Sequence, residues 1–310
     1  MKVMRLADST QPAQLVEASI PQPQPGPGEV LVRVAAAGTI RTELGWYPHT
    51  HDKSGNPRKG AVPAHEFAGS IAALGEGVTE FTIGQHIYGM NDWFCDGALA
   101  EYCLTTPTAI APAPTTLTPT QAATVPISAL TAWQGLFDRG HLHPGDRVLV
   151  HGAAGSVGLF AAQLAHLHGA HVTGTAGGQD TTFARQLGIT EVIDYHTTRF
   201  EDVLTERFDI VFDTVGGDML VRSLPLVKPG RFAITVSSAH ENATDERIRN
   251  AFFIVEPNQR QLMEVAALID TYKLRTWVKA TLPLAKANDA YTSTIPGHGK
   301  VVVAVDPRTV

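Results

Sequence analysis

Cysteine is nearly absent: Cys95 and Cys103 are the two in a chain of 310 residues. That is too few for a disulfide framework or a four-cysteine zinc lobe, and it suits a reducing compartment. No apolar run approaches the roughly 18 residues of a membrane-spanning helix, and the opening MKVMRLADST has no signal-peptide core. The expected address is therefore the cytoplasm. An excess of basic charge is missing too. The 24 basic and 30 acidic side chains are interspersed and sum to a formal −6, which argues against nucleic acid and membrane as partners and leaves a small molecule as the default. At 44% hydrophobic the chain can build a core in one large domain or two smaller ones. It contains no internal repeat and no low-complexity tract.

The stretch from Asp146 to Tyr195 organises the rest. Val148 to Val150 is a short apolar run bounded by glycines, as expected of a strand buried on both faces of a parallel sheet. Gly152, Gly155 and Gly158 then permit a sharp turn, a close backbone approach to a pyrophosphate, and close packing of helix on strand. A helix over 156–168 would aim its free N–H groups at that turn and make an anion site from backbone alone. Downstream, strands alternate with helices as far as RFAITVSS, with AFFIVEP as a possible last strand. Such alternation builds a doubly wound parallel sheet.

Ahead of this region the chain reads differently. Short strands separated by glycine turns, from Ala64 to Tyr102, predict a small antiparallel barrel. The loop 39–63 holds Trp46, Tyr47, His49 and His51 among charges, glycines and prolines, a composition that suits a pocket lining better than a core. Thr118 stands as an N-cap before Pro119. After a predicted helix over 259–270, another near 284–291 and the strand KVVVAV, the tail is expected to return to the first domain.

Nucleotide identity turns on the end of the second parallel strand, where an acid would grip a ribose 2′-hydroxyl and repel a 2′-phosphate. Gly174 to Gly178 contains no acid, which favours NADPH over NADH. The turn holds no lysine or arginine either; Asp180 is nearby and Arg185 lies further on.

Seven segments carry a family resemblance: GEVLVRVAAAG (28–38), PAHEFAGSIAALGEGVTEF (63–81), GALAEY (97–102), PISALTAWQGL (126–136), HGAAGSVG (151–158), FDTVGG (212–217) and GHGKVVVAV (297–305). In this order they resemble the medium-chain dehydrogenase/reductase superfamily, and within it the zinc-free quinone oxidoreductase-like branch. The resemblance implies an α/β fold: a Rossmann doubly wound parallel sheet over 126–255, plus a GroES-like β-barrel substrate domain from 1–125 and 256–310. It also implies an active site in a cleft, and a homodimer. Zinc members bind metal with a cysteine after the AAG strand, a histidine before glutamate, and a cysteine or acid further on. Here Ile40, His65-Glu66 and Ser128 occupy these places, so no metal is expected, zinc needing about four ligands. A site rebuilt from His65, His49 or His51 and Cys95 is the alternative.

Without a Lewis acid, oxidation of an alcohol is hard, whereas a quinone or α,β-unsaturated carbonyl accepts hydride when positioned and its oxyanion is stabilised. Tyr47 is the candidate proton donor; equally, Tyr47 and Trp46 form only an apolar wall. The branch often has Asn at the place of Ile40, and that polar contact is absent. By resemblance, Gly152, Ala154, Gly155, Val157 and Gly158 cradle the diphosphate, and Thr131 lies by the nicotinamide. Thr175 to Gly177, Gly177 included, form the ribose turn, and Tyr195 borders the 2′-phosphate of NADPH. Val236, Ser237 and Ser238 flank the nicotinamide with 252–255, including Phe253. The function expected is NADPH-dependent, metal-independent reduction of a quinone or enone. The alternatives are a zinc alcohol dehydrogenase with rearranged ligands and a non-catalytic NADPH-binding protein.

Overall fold

The computed structural model describes residues 1–7, 13–237 and 243–309. It falls into two compact units, one of 1–127, 256–272 and 276–310, the other of 128–255 and 273–275. In chain order the strands begin with β1 Lys2–Leu6, β2 Leu15–Ser19, β3 Val30–Gly38, β4 Glu66–Leu74, β5 His86–Met90, β6 Tyr102–Thr105 and β7 Ile110–Pro112. There follow β8 Arg147–His151, β9 His171–Ala176, β10 Glu191–Asp194, β11 Phe208–Asp213 and β12 Val227–Thr235. The tail supplies β13 Val278–Pro283 and β14 Lys300–Ala304.

In the first unit β1 and β2 form a hairpin, and a second sheet runs β13-β14-β3-β4-β5-β7 with β6 also on β3. The tail does return: β14 lies antiparallel to β3, pairing Val302 with Gly38. Its partner β13 is parallel to it, so the barrel-like sheet is not wholly antiparallel. The core between these strands includes Val32, Phe67, Ile71, Ile87, Leu99 and Ile110. The helix Gln259–Asp270 forms where periodicity places it. Asn258 caps it by accepting from the Gln261 N–H, and Gln261, Leu262, Val265 and Ile269 make its buried face. Thr118 likewise caps Pro119–Ala122 in a reciprocal box with Gln121.

The second unit is a five-stranded sheet in the order β10-β9-β8-β11-β12, every pairing parallel. All six residues of β11 are buried, as a strand covered on both faces requires. Two local expectations shift. The helix after the glycine turn starts at Gly158 and ends at Leu167, two residues later than expected at its start. AFFIVEP is no strand but a single bridge from Phe252 to Thr235. A helix over Pro126–Trp133 continues as a wider π turn over Gln134–Arg139, where a Cβ on Gly135 would collide with the Phe212 ring.

Candidate active site

The end of β8 builds the phosphate turn. Gly152 has φ +70°, and a Cβ there would lie 2.6 Å from the Thr214 hydroxyl, which itself donates to the His151 carbonyl at 2.7 Å. A Cβ on Gly158 would strike the Gly152 carbonyl, while one on Gly155 would meet only that same oxygen, at 3.1 Å. The outer side of Gly155 is thus open, and the first turn of the helix Gly158–Leu167 begins beside it. Ala154 and Val157 lie within this turn. An open glycine face at a helix N-terminus at the carboxyl end of a parallel strand fits a dinucleotide diphosphate.

A buried chain of hydrogen bonds braces the turn from below. Ser223 Oγ donates to the Met219 carbonyl at 2.7 Å, so at 2.8 Å it accepts from His151 Nε2. His151 Nδ1 then carries the lone pair and takes the Thr175 hydroxyl at 3.2 Å, and Thr175 Oγ1 accepts the Gly152 N–H at 3.3 Å. Burial pushes the His151 imidazole down to about 4, which keeps the ring neutral. Thr175 is 2% exposed, so its hydroxyl serves the protein interior and shapes the turn from inside.

Around the ends of β11 and β12, fully buried Asp213 accepts from the Val215 and Gly216 N–H groups and from the Thr235 hydroxyl. Thr235 Oγ1 in turn accepts from the Ser237 N–H at 3.1 Å, fixing the backbone at Val236 and Ser237. Asp213 is a residue that sequence reasoning missed, although it lies within the FDTVGG segment. Phe253 is buried under the Arg139 guanidinium, 4.9 Å from its ring centroid. Thr131 is buried in the helix Pro126–Trp133. Ser238 lies outside the described residues.

At the ribose turn, Tyr195 is 55% exposed and packs against His196 with ring centroids 4.3 Å apart. A Cβ on Gly177 would stand 3.3 Å from Asp180 Oδ2 and 3.5 Å from both His196 Nε2 and the Tyr195 hydroxyl. One on Gly178 would stand 2.5 Å from Asp194 Oδ2. Carboxylates therefore do border this turn. Asp194 arrives from β10, whose end pairs with Ala176 of β9, and no reading of Gly174 to Gly178 alone could show it.

In the first unit the segment after β3 folds inward around buried polar groups. Glu43 Oε1 accepts from the Tyr291 hydroxyl at 2.7 Å and the Ile40 N–H at 3.1 Å, while Oε2 has no partner. Burial pushes this carboxyl up to about 7. The Glu43 carbonyl is 2.5 Å from His49 Nδ1, and His49 Nε2 is 3.1 Å from His65 Nε2. His49 is thus core, contrary to its expected place in a pocket lining. Glu66 pairs with Lys300 and accepts from the Ile127 N–H. Tyr47, by contrast, is 54% exposed, stacked on His51 at 4.4 Å and edge-on to Phe94 at 6.5 Å.

Zinc does not fit these donors. His65 faces another imidazole, Ile40 offers nothing, and Cys95 lies at the surface, its thiol raised by partial burial and by Asp92. Among the described residues no three His, Cys, Asp or Glu side chains converge to hold a metal.

Comparison with known proteins agrees with this architecture. Residues 26–115 match the family described as alcohol dehydrogenase GroES-like domain, and 187–303 match zinc-binding dehydrogenase. A probable zinc-binding oxidoreductase, mitochondrial, of Arthroderma benhamiae is 30% identical over 92% of each chain. The quinone oxidoreductase of Rattus norvegicus is 27% identical over 97% of this chain and 96% of that one. The quinone oxidoreductase structure from Coxiella burnetii superposes with a TM-score of 0.87 at 27% identity, covering 99% of both chains.

Proposed function

The chain belongs to the medium-chain dehydrogenase/reductase superfamily, in its quinone-oxidoreductase-like branch, and from that premise we propose that it reduces a quinone or an α,β-unsaturated carbonyl with NADPH and without a metal ion. The observation that carries this reading is the donor set: where the zinc members present metal ligands, this chain presents Ile40, Ser128 and a histidine already paired with a second one. A substrate that is electrophilic beforehand suits such a site, because it needs positioning more than polarisation. Bound nicotinamide would supply the hydride. The chain's own part is to hold the diphosphate on Gly152, Ala154, Gly155, Val157 and Gly158, and to keep Val236 and Ser237 in place through Asp213. Thr131 and Phe253 complete the nicotinamide side in this reading, and Tyr195 the ribose side. Tyr47 delivers the proton that the substrate enolate takes up. The preference for NADPH rests on the absence of an acid within Gly174 to Gly178 and is opposed by the carboxylates of Asp180 and Asp194 at the border of that turn.

The test is a panel of benzoquinones, naphthoquinones and short enones, following oxidation of NADPH, with metal content measured on the same preparation. Turnover that survives chelation is expected. Stoichiometric zinc with loss of turnover on chelation, or no oxidation across the panel, would overturn the proposal.

A further inference from the structure

The ribose turn is where the structure says more than the sequence. Gly177 is ringed by Asp180 Oδ2, His196 Nε2 and the Tyr195 hydroxyl, all 3.3 to 3.5 Å from where its Cβ would be. Asp194 Oδ2 closes on Gly178 from the neighbouring strand, and Asp194 Oδ1 accepts the His196 N–H at 3.0 Å. Two carboxylates and one imidazole thus share a glycine turn at the carboxyl end of the second parallel strand, the place where this architecture meets an adenosine ribose. The other charged groups of these elements lie further along. Arg185 is in the last turn of the helix Thr181–Gln186, and Glu191 opens β10, opposite Thr173.

We infer that His196, set against Asp180 and Asp194, makes the choice between a 2′-phosphate and a 2′-hydroxyl depend on pH. The inference rests on the nicotinamide-nucleotide reading above. A 2′-phosphate brings about −1.5 to −2 charge to the turn. Carboxylates there repel it, and each accepts a hydrogen bond from a ribose hydroxyl instead. A protonated imidazole reverses the local balance, giving a charge-assisted hydrogen bond to phosphate. Histidine is the side chain that changes charge on mild acidification. Acidification therefore favours NADPH relative to NADH, and alkaline conditions favour NADH.

Calorimetric titration of the intact protein with NADPH and with NADH, at pH 6 and pH 8, reads the effect without turnover. The ratio of the two dissociation constants is the quantity of interest, since a general loosening of the turn weakens both nucleotides alike. The ratio is expected to move toward NADPH by about tenfold between pH 8 and pH 6. His196→Gln should remove most of that movement, beyond what the phosphate's own protonation contributes. Asp194→Asn should shift the ratio toward NADPH at pH 8. A ratio that does not change with pH, or that changes equally in His196→Gln, would overturn the inference while leaving nucleotide binding intact. Binding of neither nucleotide at either pH would overturn the proposed function together with it.

Discussion

His49 Nε2 and His65 Nε2 stand 3.1 Å apart in the interior of the first unit. His49 Nδ1 is 2.5 Å from the Glu43 carbonyl and must be its donor, which leaves the lone pair of a neutral His49 at Nε2, towards His65. His65 Nδ1 is buried with no partner within hydrogen-bond distance, and the Asp92 backbone acts on this ring in the direction of protonation. Burial, the facing imidazole and Arg58 push His65 down to about 3, and burial lowers His49 as well. Glu43, one hydrogen bond away, is shifted the other way, up to about 7.

These opposed shifts predict opposed pH effects on stability. As pH falls from 6.5 towards 3 the unfolded chain protonates its histidines and folded His65 does not, so the contribution of this pair is full above 6.5 and drains on acidification. Folded Glu43 keeps a proton that the unfolded chain loses above 4.5, so its contribution is full below 4.5 and is lost as pH rises through about 7. Glu43→Gln can still accept from Tyr291 and Ile40 but does not ionise. Relative to the parent it should gain up to about 3 kcal/mol between pH 5 and pH 8 in urea unfolding. Parallel pH profiles for parent and variant would refute the Glu43 assignment.

The directed chain beneath the phosphate turn predicts a second outcome. Ser223→Ala removes the only acceptor that His151 Nε2 has in that chain and leaves a buried N–H unpaired, costing about 1–3 kcal/mol of stability. Because the same imidazole holds Thr175 against the Gly152 N–H, nucleotide affinity should fall as well, in a binding titration at a temperature where the variant is folded. Full stability in Ser223→Ala would show that the chain runs in another direction.

Two glycines of one turn should answer differently to the same substitution. Gly155→Ala adds a methyl group whose one near neighbour is the Gly152 carbonyl at 3.1 Å, so the fold should be kept within about 1 kcal/mol. The methyl group occupies the open side of the turn, and nucleotide affinity should drop at least about tenfold. Gly152→Ala combines φ +70° with a 2.6 Å clash against Thr214 and should lose stability by about 1–2 kcal/mol from the backbone alone. Undiminished nucleotide binding in Gly155→Ala would move the diphosphate elsewhere.

What was legible beforehand was what a short window decides. The helix Gln259–Asp270 is set by its own apolar spacing and the Asn258 cap, and the glycine turn by three residues within seven. The family segments, each a local pattern, carried the fold. The polar groups that matter most in the first unit are joined by the fold instead: Tyr291 reaches Glu43 across 248 positions and Lys300 reaches Glu66 across 234. Asp194 escaped notice for the same reason, since only the pairing of β10 with β9 brings it to Gly178. Asp180, two residues beyond the turn, was visible in the sequence; Asp194, sixteen residues beyond Gly178, was not.

Tyr47 gives the last prediction. Its ring is held by stacking on His51 and an edge contact with Phe94, while the residue stays 54% exposed. Phenylalanine preserves those ring contacts and removes only the hydroxyl, so Tyr47→Phe separates a proton donor from an apolar wall. If the hydroxyl protonates the enolate, the variant should lose about 10²-fold or more in kcat on an enone with KM little changed. The loss on a quinone should be smaller, because the oxyanions of a hydroquinone are less basic than an enolate carbon and take protons readily from water. A variant with parental kcat on both substrates, alongside a Tyr47→Ala variant with raised KM, would assign the residue to the wall. The proton would then come from solvent, and the buried histidine pair, at 0% and 2% exposure, would remain a structural element of the interior.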